Sequence, residues 1–407
     1  MQTQNSADAL AKAASELDSV QPLCADQLPK WLRNYTGELS VRYTVPQADL
    51  ALACLATAGT VAGPRAKADL GWGAQATPSN LLVVLKADAS ANLGEAVQHI
   101  VAPVVARQFE ILRRRGEFND FKLENRIRPQ KMRNPYLREG GLRNYLAKTG
   151  NLLRTAKPSL LVGRLDRETL LHTLSQSVDG TIFMCNEITD QEGSCSTGDN
   201  QQMDIDLVER CLNRLPVRES LGRVKVDMAD PSLGGVLITT PPGFASWFDQ
   251  FRLSPVLGSS LLLLRSPAKA APINNAALGA VTLQEEWGAR MEGLMDGWNP
   301  EGIPLRLSRQ GLAMLFSFRN HLHKLASYLL QPAEDIYTAP YRLAGRLMIG
   351  LHLLDGGSPQ IPDETVATAV MLAKHYGPRQ ICTWKDMHDD WLKDHSFHPK
   401  LAHLGAA

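Results

Sequence analysis

The sequence predicts an α/β protein whose parallel-sheet core lies between two helical regions. Three observations predict it. Short apolar runs recur at 80–85, 159–162, 181–185, 235–240 and 260–264. Each is too short for a helix, and turn signals bound them. Helical patterns lie between these runs, the alternation that produces parallel strands with helices on both faces. From about residue 280 the strand-like runs stop and only helical periodicity remains.

The elements follow in chain order. Residues 1–25 are polar and Ala-rich, with Leu10, Leu17 and Val20 at loose helical spacing, and read as a short helix or an arm. Trp31, Leu32 and Tyr35 mark one face of a helix after Leu28-Pro29, and Pro46 suits the first turn of a second helix over 47–62. The first strand, 80–85, leads to a helix over 94–116 with Val97, Ile100, Val104, Val105, Phe109 and Leu112 on one side. A basic segment follows, with turn signals at Asn134-Pro135 and Gly140-Gly141. The strand at 159–162 precedes a helix over 166–177, and the strand at 181–185 precedes one over 202–214. The fourth strand, 235–240, is closed by Pro241-Pro242, and the fifth covers 260–264. Leu312, Leu315, Phe316, Leu322, Leu325 and Leu329 then line an amphipathic helix, 339–354 forms another, and Asp363 is placed to cap a third ending near Tyr376. This divides the chain into an N-terminal helical region, 1–70, an α/β core, 71–275, carrying a basic insertion at 107–157, and a C-terminal helical domain, 276–407.

At 407 residues the chain exceeds what a single core usually serves. With 44% hydrophobic and 21% charged residues, a wholly disordered chain is excluded. No apolar run approaches the roughly 20 residues that a bilayer requires, so no membrane partner is expected. The polar Met1-Gln2-Thr3-Gln4-Asn5 start does not read as a signal peptide, and a cytoplasmic protein is expected. None of the six cysteines forms a CxxC pair, which argues against structural zinc and a disulfide framework. His388, Asp389, Asp390, Asp394, His395, His398 and His403 crowd the C-terminal tail, but their spacing matches no zinc template, so no metal site is assigned.

Charge is unevenly placed. The net value is +1, yet residues 107–157 hold fourteen Lys or Arg against five Asp or Glu, a local +9 that leaves −8 for the remainder. Arg113, Arg114, Arg115, Lys122, Arg126, Arg128, Lys131, Arg133, Arg138 and Arg143 are interrupted by Phe118, Phe121, Tyr136 and Tyr145. Basic side chains with interleaved aromatics suit phosphate contacts and base stacking, so DNA, single- or double-stranded, is the expected partner. A merely solvated charged insertion is the alternative.

A strand, loop and helix early in an α/β domain is where a phosphate-binding loop, GxxxxGK[ST], belongs. The loop after Leu85 departs from it. In register, Lys86 and Ala91 replace the glycines, Asn92 the lysine and Leu93 the hydroxyl. The third strand ends in Cys185-Asn186-Glu187, the pattern of a strand closing in paired acids with the first acid replaced. Glu187 is the remaining catalytic candidate, with a structural strand-end carboxylate as its alternative. Thr239-Thr240 ends the fourth strand.

Taken in order, these stretches resemble the helicase-like YfjI-type family of prophages, plasmids and other bacterial mobile elements. The resemblance runs from about Leu28 to Tyr376. It is carried by Leu28-Pro29, Trp31-Leu32, Tyr35, Pro46, Gly59 and Gly63, the first strand, Arg167-Glu168-Thr169-Leu170, Asn186-Glu187, Thr240-Pro241-Pro242-Gly243, and the run Tyr341-Arg342-Leu343-Ala344-Gly345-Arg346-Leu347 with Leu351-His352-Leu353. It implies a P-loop NTPase core of the RecA/AAA+ type, ring-like oligomers or a partner subunit, and a role in mobile-element replication. It also implies vestigial nucleotide contacts at Thr240, Arg342 and Arg346, with salt bridges to acids of the core domain as the alternative for the two arginines. Where the family carries an Ala-Arg-Phe arginine this chain has Gly258-Ser259-Ser260-Leu261, leaving Arg265 as a displaced substitute.

Magnitudes argue against ATP turnover. A unit charge 4 Å from a phosphate is worth about 4 kcal/mol at an effective dielectric near 20. A non-glycine residue forced left-handed costs about 1–2 kcal/mol, and an arginine finger supplies on the order of 10³-fold or more in rate. The expectation is an inactive helicase-like subunit that binds nucleic acid or assembles, with no cofactor required and only weak ATP and magnesium binding left open. Two alternatives stand beside it: a working nucleotide-dependent helicase with a non-standard site, and a protein-only scaffold or defence component.

Overall fold

Five parallel strands form the centre of the protein: β1 (Leu82–Lys86), β2 (Leu160–Val162), β3 (Thr181–Cys185), β4 (Ser232–Thr239) and β5 (Leu261–Arg265). Their spatial order is β2-β3-β4-β1-β5. In this computed structural model the described residues are 23, 25–70, 76–86, 92–127, 160–162, 165–177, 180–185, 203–222, 224–239, 241–267, 283–297, 302, 304–327 and 333–395. β1 and β5 are buried up to their last residue and β3 throughout, which is why they read as unbroken apolar runs rather than alternating ones. Register levels the strand ends. Lys86 pairs with both Thr239 and Arg265, whereas Cys185 pairs with Val236, so β3 stops short of its neighbours.

One helix organises the rest. After α1 (Lys30–Tyr43), α2 (Gln47–Val61) is buried along its length from Asp49 onward. A helix apolar on every side must lie inside the protein, and α2 packs on the sheet with one side and on α10 (Pro340–Leu354) with another. Two glycines permit the close approach. A Cβ on Gly234 of β4 would lie 2.2 Å from Thr60 Oγ1, and one on Gly59 of α2 would lie 2.3 Å from the Ser79 carbonyl oxygen. One continuous apolar cluster therefore joins residues of the N-terminal helices, the sheet and the C-terminal helices.

Between the strands run α3 (Asn92–Ile127), α4 (Arg167–Gln176), α5 (Ile205–Asn213) and α6 (Pro241–Phe251). α3 is longer than its pattern predicts. It continues through Pro103 to Ile127, about 54 Å at 1.5 Å per residue, so the first part of the basic segment extends this helix. Pro241-Pro242 does not merely end β4, for it opens α6, consistent with the tolerance of proline in a first helical turn. An antiparallel hairpin, Val217–Leu221 with Val224–Met228, lies between α5 and β4 and packs on α4.

The C-terminal part holds α7 (Gln284–Met295), α8 (Arg309–Ala326), α9 (Ala333–Thr338), α10 and α11 (Asp363–His395). Asp363 is the first residue of α11 rather than its cap, and its carboxylate accepts the hydroxyl of Ser308. Ser308 in turn caps α8 through the Gly311 N–H at 2.9 Å, so two helix starts share one bond chain. α11 runs past Gly377-Pro378, beyond the predicted end at Tyr376. Gly377 is needed there because a Cβ would sit 2.6 Å from Pro340 Cγ. Among the described residues, no helix is long and apolar enough to cross a membrane.

Candidate functional site

The carboxyl edge of the sheet brings together the loop start after β1 and the ends of β4 and β5. In open α/β sheets such a crevice is where ligands bind. Lys86 stands level with Thr239 on one side and Arg265 on the other. Ala91, Asn186, Glu187 and Thr240 fall outside the described residues.

Two of the three described replacements in the loop, Asn92 and Leu93, are used for packing. The Asn92 side-chain amide donates to the Tyr43 carbonyl at 3.0 Å, tying the start of α3 to the end of α1. Leu93 is fully buried in the apolar cluster. Asn92 and Leu93 thus anchor the start of α3.

Arg265 is held by its own chain. Its guanidinium pairs with Asp386 of α11 at 2.8 Å and contacts Met387 Sδ at 3.4 Å. Its carbonyl accepts from Arg379 Nη2 at 3.0 Å.

Beneath it lies a polar network that the sequence reading did not single out. Asp49, in the first turn of α2, is fully buried. It accepts the Ser266 hydroxyl at 2.6 Å and lies 2.8 Å from Arg379 Nη2. The Ser266 N–H donates to the Lys86 carbonyl at 3.1 Å, and the Tyr376 hydroxyl donates to the Ala48 carbonyl at 2.6 Å. α2, the end of β5 and α11 are thus locked together directly under the crevice. The available signal was a single acid in an Ala- and Leu-rich helix, because a buried carboxylate requires a partner. A paired and hydrogen-bonded Asp49 is a latch between α2, the end of β5 and α11.

Arg346 is not at this edge. Its Nη1 donates to the backbone carbonyl of Asn80 and, at 3.0 Å, to Asn80 Oδ1. Its Nη2 donates to the Leu212 carbonyl at 3.4 Å. Asn80 precedes β1, so Arg346 occupies the opposite, amino edge, roughly 20 Å from the loop start at 3.3 Å per residue. Arg346 therefore stands apart from the carboxyl-edge candidates. The reason is that the polar atoms between the start of β1 and the end of α5 require a donor, and Arg346 with Asn80 Nδ2 supplies it. Burial first, then Arg214 and Arg342 nearby, pushes the Arg346 guanidinium down to about 9. Arg342 is exposed, donates from Nε to the Tyr341 hydroxyl at 3.0 Å, and lies on the same side as Arg346.

Of the basic residues, Arg113, Arg114, Arg115, Lys122 and Arg126 lie on the distal part of α3, while Arg128, Lys131, Arg133, Arg138 and Arg143 fall outside the described residues. Near the start of that run, Arg107 pairs with Glu110 at 3.1 Å and with Asp296, the C-cap residue of α7. His388 stacks on Trp384, with centroids 4.8 Å apart, and among the described residues no His, Cys, Asp and Glu gather in a metal-binding group. Burial pushes the thiols of Cys54 and Cys211 up, the latter to about 12, as expected of inert interior cysteines. No protein-family model matches the chain, and no curated protein matches it.

Proposed function

We propose that the chain is a P-loop-type protein of the mobile-element helicase-like kind that has lost its fuel chemistry and serves as a nucleic-acid-binding or assembly subunit. The observation that carries this reading is the carboxyl edge itself. The strand order sets β4 beside β1, so a polar strand end adjoins the loop start, where the resemblance expects a phosphate-sensing residue. At the same edge Asn92 and Leu93 serve packing and Arg265 is paired to Asp386. Nucleic-acid binding is supported by the charge surplus at 107–157, the first part of which continues α3 away from Arg107.

Phosphate release with and without DNA tests the loss of chemistry. No saturable turnover is expected, and turnover abolished by Glu187→Gln would overturn the reading. Fluorescence anisotropy with DNA tests binding, which should weaken steeply as salt rises.

A further inference from the structure

The amino edge of the sheet carries a second concentration of positive charge, remote from the crevice. Tyr341, at the start of α10, is buried. The Arg319 guanidinium of α8 lies 5.4 Å from its ring centroid and that of Arg342 lies 5.6 Å away. The His323 ring stands 5.7 Å from the same ring. Behind them sit Arg346 and Arg214, close enough to act on each other electrostatically. Arg214 is paired with Asp230 at 2.8 Å. Arg319, His323 and Arg342 make no ion pair with any described carboxylate, including Glu334 and Asp335 of the adjoining α9. α8 and α10 contain no Asp or Glu at all. Arg319 Nε and His323 Nε2 are enclosed and have no hydrogen-bond partner among the described residues.

Cations from two helices gathered on one ring repel each other unless something anionic offsets them. With Arg342 Nε taken by the Tyr341 hydroxyl and Arg319 Nε enclosed, the Nη edges of the two guanidinium groups are what a phosphate would meet. Among the described residues, neither α8 nor α10 presents a fully exposed large apolar side chain. The exposed large apolar residues described are Val41, Leu215, Leu221 and Leu253, none of them on α8 or α10, whereas the centre of a protein interface is apolar. A phosphodiester backbone requires only charge.

We propose that Arg319, Arg342 and His323, arranged around Tyr341 with exposed Lys324 beside them, form a binding surface for the phosphate backbone of nucleic acid, distinct from the basic segment at 107–157. The inference rests on the nucleic-acid reading above and assigns it a second contact.

The test is fluorescence anisotropy of the full chain with labelled single- and double-stranded oligonucleotides at about 50 and 200 mM salt. R319Q/R342Q should weaken binding about 10-fold at low salt and lower the salt slope by about 2. R319K/R342K, which keeps the charge, should retain most of that slope, and far-UV circular dichroism should match the unmodified chain for both. Equal affinity and slope for R319Q/R342Q, while the unmodified chain binds, would overturn the surface and leave the nucleic-acid reading intact. No binding by the unmodified chain at low salt would overturn both. Displacement of DNA by polyglutamate at equal charge concentration would also overturn the phosphate assignment.

Discussion

Asp49 and Arg379 meet in the interior with 2.8 Å between carboxylate and guanidinium, one from the second helix and the other from the last. Asp49 is fully buried and Arg379 nearly so. Removing one partner leaves the other's charge uncompensated. Asp49→Ala should therefore cost about 3–5 kcal/mol in urea denaturation, while the double change to Asp49→Ala with Arg379→Met should cost less than the two single changes combined.

Asn92 gives a direct check on the proposed loss of a phosphate loop. Asn92→Lys restores the residue type of a working loop but breaks the bond to the Tyr43 carbonyl and brings a charge to a buried position. Phosphate release should stay at background, and stability should fall by about 1–3 kcal/mol. A gain in turnover would show that the site needs only this lysine.

The glycines separate two kinds of position. Gly234→Ala would force a Cβ to 2.8 Å from the Leu81 carbonyl oxygen as well as against Thr60, so soluble yield and melting temperature should drop. Gly94→Ala meets nothing within 4 Å and lies in a helix, so it should be neutral or stabilise by up to about 1 kcal/mol.

His99 makes stability depend on pH. Its ring nitrogen lies 2.6 Å from the Tyr43 hydroxyl, and burial, with Arg42 adding to it, pushes its titration below the ordinary 6.5. The unfolded chain then takes up the proton first as pH falls. The contribution is fully present above 6.5 and is lost as pH drops through the lower folded value. The denaturation midpoint should decline from pH 7 toward 5, and His99→Gln should flatten that decline.

Much of the architecture could be read from residue patterns. All five strands and α2, α8 and α10 follow directly from apolar runs and helical spacing, because burial fixed those residue types. The failures share a cause. α11 continues through Gly377-Pro378 because tertiary packing on Pro340 outweighs local propensity, and α6 begins at prolines that otherwise suggest only a stop. Lys86 and Arg265 end neighbouring strands and stand side by side, a pairing that needs the strand order and is not contained in either stretch alone. That Arg346 lies against Asn80 at the amino edge could not be read beforehand, because sequence spacing says nothing about which end of a sheet a distant helix faces. Asp49, Ser266 and Arg379 come from three separate stretches, and only the fold brings them into contact.

The outer flank of β5 is occupied from within. The Leu263 N–H donates to Gln380 Oε1 of α11 at 2.6 Å, and Arg379 covers the Arg265 carbonyl. A side-chain amide thereby stands where another chain's backbone would dock. Strand addition at that border is blocked, so the sheet cannot grow sideways there into a continuous intermolecular ribbon. Copies of this protein that associate on this flank must do so through helical surfaces, which leaves the geometry of any such contact to side chains rather than to backbone ladders.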